Sequence, residues 1–346
     1  MKQVALIGHF GIGLDLLNGQ TIKTKIVANE LERVLGSEQI FKIDTHGSLF
    51  SFLKLPFLIL MALCLCKNVI ILPAQNGLRI IAPMLYVMNL FFLKKIHYVV
   101  IGGWMPSLIE KRKFLTFCLR RFNHIYVETT VMKKTLENLS FSNVCVMVNC
   151  KPLSIVELKM QNMTALKPIR FCIFSRVMKQ KGIEHAVSAI KKMNEIYGEE
   201  SCCLDIYGQI EKNEEEWFES LQQLFPKNIA YKGMVAFDKS VEALKCYSAL
   251  LFPTLFFTEG IPGTIIDAYA AGVPVISSQW ASFSDIIDEG VTGFGYEFGS
   301  EDALYNVLEQ VISSPEILGT MKQNCIAKAN LFLPQNAMSG LFANLK

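Results

Sequence analysis

The sequence predicts an α/β protein made of two doubly wound domains, and three observations carry that prediction. Short β-rich runs alternate with helical patterns along the whole chain, the arrangement expected of parallel sheets flanked by helices. The alternation breaks once, between Asn149-Cys-Lys-Pro-Leu153 and Pro168, and a second series then begins. A length of 346 residues exceeds one typical domain and suits two.

In the first series, strands are expected at residues 3–8, 40–44, 68–72, 96–101, 124–128 and 143–148, with helical stretches such as 20–35, 78–93 and 106–122 between them. The second series starts with Ile169-Arg-Phe-Cys-Ile-Phe174. It continues through Cys203-Leu-Asp-Ile-Tyr207, Asn228-Ile-Ala-Tyr-Lys232, Ala249-Leu-Leu-Phe252 and Pro274-Val-Ile-Ser277. The domains are therefore placed at 1–165 and 166–330, with 331–346 a C-terminal helix that packs back toward the first. Ligands of such sheets bind at the carboxyl ends of the strands, so function is sought in the loops there. No short repeat or low-complexity tract interrupts the pattern.

Charged residues make up only 19 % of the chain, and its mean hydropathy is +0.32. The most apolar run, Leu55-Pro-Phe-Leu-Ile-Leu-Met-Ala-Leu-Cys-Leu-Cys66, lies between Lys54 and Lys67. It falls short of the about 20 residues a membrane span requires and has a proline near its start. It reads as a buried helix followed by the strand Asn68-Val-Ile-Ile-Leu72. Met1-Lys-Gln-Val-Ala-Leu-Ile-Gly8 reads as a short strand, with no cleavage site of a signal peptide behind it. The ten cysteines are scattered through apolar stretches without a C-x-x-C pair, and no histidine cluster has metal-ligand spacing. They read as reduced core residues of a cytosolic protein.

The net charge of +3 conceals an asymmetry: residues 1–160 carry 19 Lys+Arg against 9 Asp+Glu, and the remainder 15 against 22. A cationic half joined to an anionic half suggests that the first faces anionic material. Its clusters Lys94-Lys95, Lys111-Arg-Lys113, Arg120-Arg121 and Lys133-Lys134 favour an anionic membrane surface over simple solvation. No nucleic-acid partner is expected.

The segment richest in chemistry is Thr258-Glu-Gly-Ile-Pro-Gly-Thr-Ile-Ile-Asp-Ala-Tyr-Ala-Ala-Gly-Val-Pro-Val-Ile276. Pro262 and Gly263 can open a helix, with Thr264 beside them, and Gly272 followed by Pro274 closes it. A helix start with free N–H groups is an anion site. Glu259 just before it and Asp267 within it are unsuited to phosphate but suited to the paired hydroxyls of a sugar or ribose. A glycosidase pair is disfavoured, because eight residues of helix span about 12 Å and such carboxylates stand roughly 5–9.5 Å apart.

This stretch resembles the E-x7-E motif of the family-four retaining glycosyltransferases, with Glu259 and Asp267 as its acids. Ser175-Arg-Val-Met-Lys-Gln-Lys-Gly182 is similar to the loop in which that family holds the donor diphosphate, placing Arg176 and Lys181 there. Leu204-Asp-Ile-Tyr-Gly208 and Tyr231-Lys-Gly-Met-Val235 resemble the loops around the nucleotide base. Asn18-Gly-Gln-Thr-Ile-Lys-Thr24 resembles the Gly-rich loop of the other domain. The resemblance is firm over 170–295 and looser before it. It implies a GT-B fold, two Rossmann-like domains facing a central cleft, and transfer from a UDP- or GDP-sugar to a lipid-linked or glycan acceptor. The setting it implies is the assembly of surface polysaccharide, on the cytoplasmic face of the cell membrane. Catalytic roles would fall to Glu259, Arg176 and Lys181. Donor binding would fall to Asp267, Gly260, Gly263 and Thr264, with Gly182, Gly208 and Met234. The N-terminal cleft loop would comprise Gly13, Gly19, Gln20 and Gly103.

Two positions depart from the family. Asp267 is one methylene shorter than the usual glutamate. Where many relatives carry a histidine before the cleft, Val99-Val-Ile-Gly-Gly-Trp-Met105 offers Gly102 and Gly103, and the role does not transfer to His97. Cations and helix-end N–H groups are expected to stabilise the leaving diphosphate. The chain has no D-x-D pair, so neither a metal nor another cofactor is expected.

Other readings are weaker. Gly8-His-Phe-Gly-Ile-Gly13 has G-x-x-G-x-G spacing rather than the dinucleotide fingerprint, so a nicotinamide dehydrogenase is disfavoured; His9 is a packing residue or a ligand contact. Trp104 is a core residue or an acceptor platform. A sugar-nucleotide epimerase of the same fold requires acid and base histidines, and the five histidines avoid the loops near Glu259. A non-catalytic sugar- or lipid-binding module would show decayed motifs, whereas Glu259, Arg176 and Lys181 all stand.

Overall fold

The computed structural model describes residues 1–13, 19–47, 49–157, 168–198 and 201–346. It divides into two compact units, Met1–Pro152 with Leu333–Lys346, and Leu153–Phe332. The division expected at 165/166 falls outside the described residues, as does Asn18. The stretch just after Pro152 goes with the second unit, where the Val156 N–H donates to Ala270 O at 2.9 Å.

The first unit is a parallel sheet in the order β2-β1-β3-β4-β5-β6. Its strands are β1 (Lys2–Gly8), β2 (Ile40–Asp44), β3 (Cys66–Ile71), β4 (Lys95–Val99), β5 (His124–Val127) and β6 (Val144–Val146). Alternation along β1 sorts two cores, because successive side chains point to opposite faces. Ala5 and Ile7 join one core, Val4 and Leu6 the other. Helix α1 (Gly19–Leu35) closes the second core with Val27, Ala28 and Leu31. The first core takes the inner sides of α2 (Leu49–Leu65), α3 (Gln75–Asn89), α4 (Met105–Glu110), α5 (Lys113–Leu119) and α6 (Thr130–Asn138).

The second unit is a parallel sheet in the order β12-β11-β10-β7-β8-β9. In chain order it comprises β7 (Ile169–Phe174), α7 (Ile183–Tyr197), β8 (Cys202–Tyr207), α8 (Glu215–Gln222), β9 (Ile229–Gly233) and α9 (Ser240–Leu244). There follow β10 (Ala249–Phe252), α10 (Gly263–Ala270), β11 (Val275–Ser278), α11 (Phe283–Ile286), β12 (Gly293–Tyr296), α12 (Glu301–Ser313) and α13 (Glu316–Ala329). The last segment returns to the first unit as α14 (Pro334–Ala337) and α15 (Ser339–Asn344). Met338 and Leu341 enter the core under α1, and the Asn68 amide donates to Leu345 O at 3.1 Å.

Four expectations need correction. The helix expected over 106–122 breaks into α4 and α5 at Lys111–Arg112, where the Arg112 N–H turns back to Ile109 O. Strand β12 had no counterpart in the sequence reading; Gly293 is required there because a Cβ would stand 2.0 Å from Val275 O. The apolar run around 55–66 is helical but not buried all round: Leu53 is 71 % and Phe57 65 % exposed. Finally, all ten cysteines are free thiols, but Cys64 and Cys246 are exposed rather than in the core.

Candidate active site

Open parallel sheets bind ligands where the chain reverses its direction of progress across the sheet. In the second unit that point lies at β7, which has β10 on one side and β8 on the other. The loops leaving β7 and β10 flank it, and they carry Arg176, Lys181 and Glu259.

Backbone contacts fix the geometry of both loops. After β7, the Val177 N–H donates to Gln209 O at 2.8 Å and Val177 O accepts from the Glu211 N–H at 3.0 Å, so the chain runs beside the loop leaving β8. A short turn over Lys179–Lys181 ends at Gly182, whose φ is 67°. A Cβ at Gly182 would stand 1.8 Å from Pro253 O, so only glycine lets the β7 and β10 loops touch. The Leu255 N–H then donates to Gln180 O at 2.8 Å, joining them again.

This double junction brings Lys181 Nζ to 2.6 Å from Glu259 Oε2, with the side chains only 15 % and 20 % exposed. Thr254 Oγ1 lies 3.4 Å from the same carboxylate oxygen. Two residues 78 apart in sequence thus form one charged pair at the switch point. Arg176 stands apart from it. Its guanidinium is 66 % exposed and lies 3.0 Å from Glu211 Oε2. Glu211 escaped the sequence reading; its only signal was its place after the second strand of this unit.

Helix α10 begins at Gly263, after Pro262 in extended conformation. Its end matches the expected closure: Gly272 is left-handed at φ 69°, and the Val273 N–H returns to Ala268 O at 2.8 Å. The first N–H groups of a helix have no partner within it. The Thr264 hydroxyl is buried there and has no hydrogen-bond partner among the described residues. Asp267, one turn on, is 4 % exposed. The 12 Å separation argued from helical rise does not apply to the full interval, because Glu259–Pro262 precede the helix.

Gly208 has φ 136°, and a Cβ there would stand 1.7 Å from Ser175 O, so this glycine seats the β8 loop against the β7 loop. Tyr231 Oη donates to its carbonyl at 2.8 Å. Met234 lies beyond Gly233 and is 71 % exposed. Gly260 lies in the partly exposed stretch between Glu259 and α10.

The first unit has its own switch point, between β1 and β3. The loop after β1 contains Gly11 at φ 59° and Gly13 at φ 83°, and Gly19 starts α1. The Gln20 amide donates to Leu72 O at 3.4 Å. The Asp44 carboxylate accepts from the N–H groups of Phe10, Ile12 and His46 at 2.8–3.0 Å. Burial raises the carboxyl of Asp44, but the backbone donors outweigh it and hold the group below its ordinary range. His9 bridges Thr21 Oγ1 at 2.7 Å and His46 Nδ1 at 2.8 Å. Burial, aided by His46, lowers His9 against the opposing pull of Asp44. Asp44 and His46 also escaped the sequence reading, although both lie at the end of a strand it had placed.

Gly102 is left-handed at φ 78°, with Gly103 in the same bend. Trp104 packs partly against the first core. His97 is buried, 3.3 Å from Asn68 Oδ1, with its ring stacked on His124. Burial, then His124 and Lys95, depress it to about 4, so it is neutral and structural.

A partly buried ammonium–carboxylate pair beside a helix start, with an exposed guanidinium on the same loop as the ammonium, can hold a polyanion and a hydroxyl-rich group together. Residues 168–314 match the family model of the group 1 glycosyl transferases. No curated protein matches the chain in sequence. Among solved structures, HepE of Anabaena in complex with UDP aligns with 100 % of this chain and 99 % of its own, at TM-score 0.77 and 12 % identity. The lipopolysaccharide outer core galactosyltransferase WaaB in its apo form aligns over 100 % and 99 %, at TM-score 0.69 and 16 % identity. Sucrose-phosphate synthase of Thermosynechococcus elongatus aligns over 100 % and 98 %, at TM-score 0.73 and 13 % identity. The fold is GT-B, and the similarity to the group 1 glycosyl transferases lies within its second unit.

Proposed function

We propose that the chain is a retaining, metal-independent glycosyltransferase that uses a UDP-sugar and glycosylates a lipid-linked glycan at the cytoplasmic face of a membrane. The observation that carries this reading is the Lys181–Glu259 pair at the switch point of the second unit. UDP is preferred as carrier because HepE has been solved with UDP and with UDP-glucose.

When the anomeric C–O bond breaks, negative charge grows on the leaving diphosphate. Lys181, Arg176 and the free N–H groups at the start of α10 supply preorganised positive charge for it. Glu259 accepts from hydroxyls of the reacting sugar and fixes its orientation over Lys181. Buried Asp267 accepts from the ribose diol, with the Thr264 hydroxyl as a further donor. The acceptor oxygen enters on the face the diphosphate leaves, and its proton passes to the departing phosphate oxygen. The protein's cations and the lack of a D-x-D pair support a reaction without metal.

The test is a panel of nucleotide sugars in excess EDTA, reading release of nucleoside diphosphate with a lipid-linked acceptor present. Release of UDP with retained anomeric configuration is expected. Release that requires added Mg²⁺ or Mn²⁺ overturns metal independence, and an inverted product overturns retention.

A further inference from the structure

The outer side of the first unit bears a surface that the transferase chemistry does not use. Residues 49–123 contain ten Lys+Arg and one acid, Glu110. Lys54, Lys67, Arg79, Lys95, Arg120 and Arg121 are exposed, as is the whole of Lys111–Lys113. A single acid cannot neutralise this field.

Apolar side chains lie among these charges in a regular order. On α2, Leu53, Phe57, Leu60 and Cys64 recur at i, i+4, i+7 and i+11, all exposed. On α3 and its exit, Ile80, Met84, Val87 and Phe91 repeat the same spacing. Such spacing draws one stripe along a helix. In both helices the opposite stripe is already buried against the sheet, and of the outer residues named here Met84 alone packs partly against that core, so the exposed ones are not core residues out of place. Helix α2 packs beside α3, and α3 beside α5. Tyr86 of α3 meets Phe117 of α5 edge-on at 5.6 Å, with the Arg121 guanidinium 4.0 Å from the Phe117 ring centre. The stripes therefore form one surface of aliphatic and aromatic groups edged by cations.

Its most prominent point is the corner after α3. Phe91 is 83 % and Leu93 84 % exposed. Leu93 has φ 52°, a conformation that L-residues other than Asn, Asp and His seldom adopt. The Asn89 side chain holds the corner in place, donating to Lys94 O and accepting from the Lys94 N–H, both at 2.9 Å. The backbone is thus fixed in an unusual turn that turns two large apolar side chains toward solvent.

We propose that this face is a bilayer-penetrating platform for an anionic membrane, with Phe91 and Leu93 as the wedge and the surrounding lysines and arginines on lipid headgroups. It deepens the membrane-side reading given above and rests on it. A surface apolar at its centre and cationic at its edge matches the interface of an anionic leaflet, where acyl chains lie below negative headgroups. A protein partner would need an apolar patch ringed by acids. No helix among the described residues is long and apolar enough to cross a membrane, so the contact is with one leaflet.

Electrostatic attachment and insertion differ in salt dependence. At about 0.1 M salt the screening length is about 10 Å, and at about 1 M it is about 3 Å, which removes attraction to headgroups and leaves apolar insertion intact. The full chain is sedimented with phosphatidylglycerol/phosphatidylcholine vesicles, and with phosphatidylcholine alone, at both salts. The wild-type chain should bind anionic vesicles at low salt and leave a bound fraction that high salt does not release. Phe91→Ser with Leu93→Ser should abolish that salt-resistant fraction and keep low-salt binding, with an unchanged thermal midpoint because both side chains are exposed. Lys111→Glu, Arg112→Glu and Lys113→Glu together should abolish the low-salt binding to anionic vesicles. Equal salt-resistant binding by the Phe91/Leu93 variant overturns the wedge. Binding that high salt releases entirely overturns insertion but leaves the electrostatic reading standing. No binding to anionic vesicles, or a dimer in sedimentation velocity that the Phe91/Leu93 variant dissociates, overturns the platform. UDP release in solution is read in parallel, so failure of the transferase reading registers separately.

Discussion

Replacing Lys181 by Met tests the centre of the proposed site, because it removes the charge and keeps most of the volume. At 2.6 Å the attraction between Lys181 and Glu259 is about 6 kcal/mol at an effective dielectric near 20. Desolvation of the two ions offsets much of that. Exposed pairs contribute about 0–1 kcal/mol, and breaking a buried pair costs about 3–5 kcal/mol. With side chains 15 % and 20 % exposed, the coupling should fall between, at about 2 kcal/mol in a double-mutant cycle with Glu259→Gln. Urea unfolding of wild type, both single variants and the double variant measures it. The catalytic consequence is separate: loss of a preorganised cation facing the diphosphate should lower kcat about 10²-fold, or about 2.7 kcal/mol. The pair also imposes a sign on ligand binding. In the free chain the carboxylate occupies the ammonium that UDP is to use, so Glu259→Gln should bind UDP as tightly as wild type or several-fold more tightly while losing most of kcat. Isothermal titration with UDP and steady-state kinetics report the two effects. Near-normal kcat for a cooperatively folded Lys181→Met, or UDP binding weakened tenfold by Glu259→Gln, refutes the assignment.

Asp267→Asn should mainly raise the donor KM, because a ribose contact is similar in ground and transition states, whereas Glu259→Gln should mainly lower kcat; equal kcat losses at unchanged KM would contradict that division. Gly208→Ala should destabilise the second unit by several kcal/mol, since its Cβ would stand 1.7 Å from Ser175 O at φ 136°, whereas Gly299→Ala, with open space around it, should cost only about 1 kcal/mol for its positive φ; urea midpoints compare them. Neutral His97 should make the first unit acid-sensitive. Its folded value of about 4 lies below the ordinary 6.5, so the stability it contributes is complete above pH 6.5 and declines as pH falls toward 4, by about 3 kcal/mol in all. His97→Gln should flatten that part of the pH–stability curve, and an unchanged curve would refute the cause.

Central strands were legible because they are buried on both faces and read as unbroken apolar runs, as in Val4–Ile7 and Ala249–Phe252. Strand β12 was not, since two of its four residues are glycine and its place depends on the close approach to Val275 rather than on propensity. The break between α4 and α5 carries no proline or glycine, so local sequence could not reveal it. The exposure of helix α2 was not legible for a related reason. A helix apolar all round reads as buried, and nothing local shows that one side lacks a cover. In the site, Lys181 and Glu259 were each legible from local spacing. Their pairing was not, because the glycine contact that produces it, Gly182 against Pro253, joins distant loops. Glu211 and His46 were invisible for the same reason, since each gains its partner only through neighbouring strand ends.

The first unit is discontinuous: Leu333–Lys346 belong to it, although the 180 residues of Leu153–Phe332 intervene. At a synthesis rate of about 5–20 residues per second, those residues take roughly 10 to 40 s to emerge. Throughout that interval the second unit can close on its own chain, while the nascent first unit lacks Met338 and Leu341 against α1 and leaves Asn68 without Leu345. Order of emergence is therefore inverted relative to order of completion: the part made first is finished last. Any chaperone that attends the nascent chain should stay longest on the surface around Val27, Leu31 and Ile70, and release from it should coincide with arrival of the fourteen residues Leu333–Lys346.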